Sequence, residues 1–371
     1  MKKLLIVFIS LLMLLSLSAC SDKSDNDTNK GDSSTETIKI GMFGPYTGDY
    51  AEYGLAVLNG AKLAVEESGN AVEIVNIDTQ GDPTAAVNAY NKLVDEGVVA
   101  FLGGVLSGES VAVGSASQSN GKLPIISASA TAVDFSLTGK NVFRGCFTDP
   151  HQGVAMADYV FNEMGIKKVA TIFEPTDYSQ GLVDSFKAEF VRLGGELVAE
   201  QVYPSGTTDF STYLTSISSL DVEGIYLPIY YSDVAMIAQQ AANVGLNVPM
   251  FGNDGWGGVL AVISDASALE GGVFVNHTPI EDSAIDAFTK KYTDTFGVEP
   301  ISFSYLGYDC MKLLIQAVGE ADSLDVETLT KTMQNIDFTG IAGSIKFDEN
   351  GDAIKSYNFV KIENGVYADA K

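Results

Sequence analysis

Pro124-Ile125-Ile126-Ser127-Ala128-Ser129-Ala130-Thr131 is an apolar run that opens into small, hydroxyl-bearing residues. Residues 123–126 read as a short buried strand, and residues 127–131 as the turn beyond its carboxyl end, leading to a helix start at 133–137. In open α/β sheets that edge is where ligands sit. Small side chains there let backbone N–H groups and the hydroxyls of Ser127, Ser129 and Thr131 surround a small anion, for which a carboxylate is the natural guest. The same stretch also suits a Ser-rich loop that does no more than cap a helix.

Outward from this stretch the chain repeats one unit. Strand-like runs at residues 38–43, 72–77 and 98–102 alternate with helical runs from about 52, over 83–96 with Pro83 in the first turn, and from about 109. The pattern then restarts. Helical runs at 151–164, 179–193, 210–219 and 232–244 alternate with strands at 168–173, 196–203, 224–229 and 248–251. Such spacing predicts an α/β protein of two lobes, each a parallel sheet with right-handed crossovers and helices on both faces. Residues 283–296, 305–321 and 325–335 are helical without enough strands between them for a third sheet, so they are expected to pack back onto the first lobe.

The chain begins with Lys2 and Lys3, an apolar stretch over residues 4–15, and Leu17-Ser18-Ala19-Cys20. Residues 1–19 fit a secretory signal peptide, and the end resembles the lipobox of bacterial lipoproteins. That resemblance implies a lipid on Cys20. Residues 21–37 hold no apolar side chain and cannot form a core, so residues 20–37 read as an anchor and tether. No later segment is apolar enough to span a bilayer.

The formal charge of −26 over 371 residues repels nucleic acid and removes any basic-patch function. Besides Cys20 there are only Cys146 and Cys310, in a strand-like and a helical run, which read as buried free thiols. His151 and His277 are isolated, leaving almost no raw material for a metal site or a histidine-based triad. Ser107 lacks the Gly-x-Ser-x-Gly elbow, and no phosphate-binding glycine motif follows a strand. No cofactor and no catalytic residue is expected.

Several loops together carry a family resemblance. They are Gly44-Pro45-Tyr46-Thr47-Gly48 with Tyr53-Gly54, Gly103-Gly104-Val105-Leu106-Ser107, residues 126–131, Asp177-Tyr178-Ser179-Gln180-Gly181, Tyr230-Tyr231-Ser232-Asp233 and Gly252-Asn253-Asp254-Gly255. In order and spacing the chain resembles the solute-binding proteins of the branched-chain amino acid transport family, with the type I periplasmic-binding fold. The resemblance implies two Rossmann-like lobes joined by three crossovers, near residues 143–148, 273–278 and 345–350. The first lobe would comprise 38–145 plus 279–346, and the second 146–278 plus 347–371.

It further implies that Ser107, Ser129, Ala130 and Thr131 grip an α-carboxylate and that Asp254 pairs with the α-ammonium. Tyr53, Tyr178 and Tyr230 would surround the ligand, with Trp256 lining or shielding its side-chain pocket. With only Arg144 and Arg192 in the chain, a bidentate arginine clamp is not expected. Ala128 stands where the family usually has proline, and Ser129 where it usually has a small apolar residue. The implied function is capture of a small amino acid, branched-chain first, by a monomeric lipoprotein on the extracytoplasmic face of the membrane. An ABC permease and ATPase would be its partners. An amide, urea or aromatic acid ligand, or a receptor-type sensor, stays open.

Overall fold

A strand inside a parallel sheet must bury both faces, and Ile40 to Gly44 of β1 (Ile38–Gly44) are all buried. The computed structural model describes residues 37–278 and 283–370. The first sheet adds β2 (Val72–Asp78), β3 (Ala100–Gly103), β4 (Ile125–Ser127) and β5 (Val142–Arg144), in the order β2-β1-β3-β4-β5, every pair parallel. Its connecting helices are α1 (Ala51–Glu67), α2 (Pro83–Asp95), α3 (Ser107–Ser117) and α4 (Val133–Leu137). Asp82 caps α2 by accepting from Ala85 N at 2.7 Å, and Pro83 occupies the first turn.

After β5 the chain enters the second lobe through α5 (Asp149–Asn162), β6 (Lys168–Phe173), α6 (Asp177–Leu193), β7 (Glu196–Val202), α7 (Ser211–Ser218), β8 (Gly224–Leu227), α8 (Tyr231–Asn243), β9 (Met250–Gly252), α9 (Val259–Val262) and β10 (Val273–Asn276). It returns through α10 (Ser283–Phe296), α11 (Ser302–Glu320), α12 (Val326–Gln334) and the hairpin of β11 (Phe338–Gly340) and β12 (Gly343–Ile345). It then enters the second sheet again as β13 (Asn358–Glu363) and β14 (Val366–Asp369). That sheet runs β14-β13-β10-β9-β8-β6-β7. Its last two strands are antiparallel, an edge the βα pattern does not announce. Residues 348–353 lie against the first sheet, where Asp352 bridges to Arg144. The signal segment, Cys20 and nearly all of the tether fall outside the described residues. Among those described, no helix is long and apolar enough to cross a membrane.

α11 packs on α1, as the late helices were expected to do. The two backbones meet at Gly60 and Gly307, where an added Cβ would stand 2.1 Å from Ser304 O and 2.5 Å from Val57 O. Cys146 and Cys310 are buried free thiols near this core. Further along α11, buried Asp309 accepts from Ile341 N at 3.0 Å and Ala342 N at 2.8 Å, tying down the hairpin, while Lys355 Nζ donates to Ala342 O at 2.7 Å.

Gly60→Val is expected to force the helices apart at a cost of about 1–3 kcal/mol, read by urea unfolding. Burial pushes the Asp309 carboxyl up to about 6. The native state therefore holds a proton that the unfolded chain releases above about 4, so this group's contribution to stability is greatest at low pH and is lost as pH rises toward 6. Asp309→Asn should abolish that portion of the slope in urea midpoints measured between pH 4 and 7.

Candidate functional site

Buried backbone carbonyls need donors. The loops after β3 and β4 satisfy each other: Ser127 Oγ donates to Gly104 O at 2.6 Å and accepts from Ala130 N at 2.9 Å, while Ser129 Oγ donates to Val105 O at 2.8 Å. Two of the hydroxyls expected to surround an anion thus donate to the neighbouring loop instead, because its Gly103-Gly104 segment has no side chain to donate. Thr131 Oγ1 differs: it is buried, makes no bond to the neighbouring loop, and faces the Asp149 carboxyl. Ser107 Oγ accepts from Ala132 N at 3.3 Å, which joins the start of α3 to the same loop. Buried Glu109 accepts from Val105 N at 2.7 Å, Leu106 N at 3.1 Å and the Thr79 hydroxyl at 2.7 Å, and burial pushes its carboxyl up.

Arg144 is fully buried and supports the loop from behind. Its Nη1 donates to Ala130 O at 2.9 Å, its Nη2 to Val133 O and Ser136 Oγ, and its Nε to Asp352 at 2.5 Å. In a trans peptide the N–H opposes the C=O, so with Ala130 O held by Arg144 the Thr131 N–H points the other way. Arg144 is a scaffold for an amide-lined loop, not a clamp, and Arg192 is paired with Glu189 on the surface.

In the second lobe, Asp254 opens a 3-10 turn, Asp254–Trp256, just past β9. Its Oδ1 accepts from Tyr178 Oη at 2.8 Å and Gln152 Nε2 at 3.1 Å, and its Oδ2 is 3.0 Å from His277 Nε2. Gln152 also donates to Asp149 Oδ1 at 3.2 Å, and Asp149 N donates to Thr131 O at 3.0 Å. A polar chain therefore runs from the first-lobe loop to Asp254. Burial, reinforced by the Asp254 charge and opposed by the Thr131 hydroxyl that faces it, pushes the Asp149 carboxyl well up.

Aromatic side chains close the other flank. Tyr178 and Tyr230 stack at 4.7 Å, and the Ser107 amide faces the Tyr230 hydroxyl. Tyr53 Oη donates to Gly255 O and accepts from Tyr231 N at 3.1 Å. Glu52 N donates to Tyr231 Oη at 3.4 Å, and Ser232 Oγ to Asp49 O at 2.8 Å. Tyr53 is thus a direct interlobe bridge.

The structure brings Tyr53, Ser107, Ser129, Ala130, Thr131, Tyr178, Tyr230 and Asp254 to one interlobe region. Trp256 does not point its polar group there. It is fully buried, its Nε1 donates to Leu227 O at 2.9 Å, and its ring lies 6.1 Å from that of Phe274. A lone tryptophan two residues past Asp254 anchors the turn in the lobe core, because its indole N–H must find an acceptor when buried.

Sequence reading passed over Gln152, Asp149, Tyr231 and His277. For His277 a signal existed: it directly follows the apolar run of β10, at the carboxyl end of a strand. Among the described residues no cluster of His, Cys, Asp or Glu side chains could hold a metal ion.

The family described as periplasmic binding protein matches residues 37–366. A Leu/Ile/Val-binding protein of Rhizobium johnstonii is 32% identical over 352 residues, 90% of this chain and 94% of that protein. A leucine-binding protein of Thermotoga maritima superposes with a TM-score of 0.83 at 32% identity, covering 90% of this chain and 98% of its own. The branched-chain amino acid transporter substrate-binding protein of Streptococcus pneumoniae, solved with isoleucine, gives 0.84 at 28% identity, covering 91% and 100%. With two sheets whose carboxyl-end loops meet at one buried site, and with these likenesses over nine-tenths of its length, the chain belongs to the periplasmic binding protein family.

Proposed function

We propose that the chain captures a small zwitterionic amino acid, with leucine, isoleucine and valine the leading ligands, and hands it to an ATP-driven importer. The observation that carries this is the pairing of chemistries across the lobes. Thr131, with an outward-turned amide and a hydroxyl beside the Asp149 carboxyl, stands in the first lobe, and the Asp254 carboxylate stands in the second. The first suits an α-carboxylate without arginine, and the second suits an α-ammonium. Binding by the relatives in the Leu/Ile/Val class supports the same ligand.

A ligand touching both loops binds the closed arrangement better than the open one and shifts the population toward it. Tyr53, Tyr231, Glu52, Ser232 and Asp49 then hold the closed edge by hydrogen bonds that the open form would lack. In this reading the lobes are residues 38–145 with 279–346 and residues 146–278 with 347–371, the last segment running along the first sheet at 348–353 before it enters the second. Cys20 carries the lipid, residues 20–37 hold the body off the extracytoplasmic face, and a permease with its ATPase receives the ligand. The role is binding, not catalysis.

Calorimetry on protein unfolded and refolded to remove carried ligand should give binding of leucine, isoleucine or valine, and much weaker binding of 4-methylpentanoate, which lacks the ammonium. Asp254→Asn is expected to weaken leucine by about 10- to 100-fold, the worth of a charge-assisted hydrogen bond, whereas Asp233→Asn, whose carboxylate bonds Tyr203 at 2.6 Å, should stay near the parent. Equal losses, or binding of an aromatic acid alone, overturn the reading. Tyr53→Phe removes two interlobe hydrogen bonds and should raise the leucine Kd by about 5- to 100-fold with an unchanged urea midpoint.

A further inference from the structure

His277 is fully buried at the point where the chain leaves β10 to return to the first lobe. Its ring stacks on Phe147 at 3.8 Å and 18°, and Phe147 lies on the outward passage between β5 and α5. Nε2 is 3.0 Å from Asp254 Oδ2, while Nδ1 is buried without a partner among the described residues. These facts select one tautomer. With the proton on Nδ1, a buried N–H would have no acceptor, and the Nε2 lone pair would face a carboxylate oxygen. With the proton on Nε2, a hydrogen bond forms and Nδ1 is left as a bare acceptor.

We propose that His277 is the positioning residue for the ligand's ammonium group: in its neutral Nε2–H form it fixes the second oxygen of Asp254, and as a cation it takes the ammonium's place. The inference rests on the reading of the ligand as a zwitterionic amino acid. Tyr178 and Gln152 hold Oδ1 and His277 holds Oδ2, so all three donors to Asp254 are neutral, and the excess negative charge is available to the ligand. A protonated imidazole would supply an internal cation to the same carboxylate and repel the ammonium.

The surroundings favour the neutral form. Burial holds the imidazole below its usual range, opposed by Asp254 and reinforced by Lys355 from the segment before β13. Asp149 and exposed His151 on α5, behind Phe147, and Tyr178 on α6 are the other titratable groups around it. Phe303 on α11 packs at 6.0 Å and contributes no charge. Since ligand binding and His277 protonation oppose each other, each weakens the other by the same factor. Affinity should fall as pH drops through the imidazole's range, by up to about tenfold per unit.

The test uses the protein labelled with [15N]histidine. Only two histidines are present, so a His151→Gln sample assigns the spectrum. The unliganded protein at pH 7.5 should show His277 neutral and protonated on Nε2, and leucine should lower its titration midpoint. The opposite tautomer, or a midpoint indifferent to leucine, overturns the proposal.

Calorimetry between pH 5 and 7.5 then separates positioning from packing. His277→Phe keeps an aromatic ring but no donor, and should weaken leucine about tenfold or more with no pH fall-off of the parent's size and no loss of thermal stability comparable to that effect. His277→Gln restores an N–H donor and should recover much of the affinity at pH 7.5 while the acid fall-off remains absent. A fall-off identical to the parent's in either variant assigns the pH dependence to a group other than His277 and overturns the proposal. If the parent binds no amino acid at any pH, the amino acid reading fails by itself, and the tautomer is still decided by the spectrum.

Discussion

A carboxylate removed from water must be surrounded by donors or it will not stay buried. Asp254 is 1% exposed, and the donors that hold it come from α5, α6 and the end of β10. These elements are far apart in the chain and meet only because the second sheet places its strand ends along one edge. Asp254 is therefore both a consequence of the fold and its strongest local demand. The stacked Tyr178 and Tyr230, the Gln152 bridge to Asp149 and the Phe147–His277 pair are arranged around it.

The first lobe meets a different demand, that of backbone. Loops at the carboxyl ends of β3 and β4 are buried, so their carbonyls and amides need partners. Ser127, Ser129, Glu109 and Arg144 supply them. Holding the Ala130 carbonyl from behind turns the next amide forward, and the Thr131 hydroxyl faces the Asp149 carboxyl. The result is a neutral, donor-rich face opposite an acidic one. A ligand with a carboxylate at one end and an ammonium at the other matches that polarity, and matches it only when the lobes are together.

Much of the fold was legible because periodicity and turn residues agree. The helix with Pro83 in its first turn, the strand at residues 168–173 and the late helix packed on α1 all follow local rules that tertiary contacts did not override. The antiparallel β13 and β14 were not legible, since short edge strands carry little periodic signal. The loops that carry Asp254, Tyr178, Tyr230 and Thr131 are legible in the sequence, and the structure brings them together. His277 stands alone in the sequence, and only the fold carries it to Asp254.

By itself the sequence determined that the chain would form βα units with loops of small and polar residues at the strand ends, and that only two arginines were on hand for a clamp. Those conclusions depend only on residue spacing and composition. Tertiary structure alone decided which hydroxyls bond the neighbouring loop, that Arg144 works from behind the loop, that Trp256 turns into the core, and that His277 reaches Asp254. Each of these is a competition among donors and acceptors for buried partners. Its outcome depends on distances of a few ångströms between segments that lie tens or hundreds of residues apart.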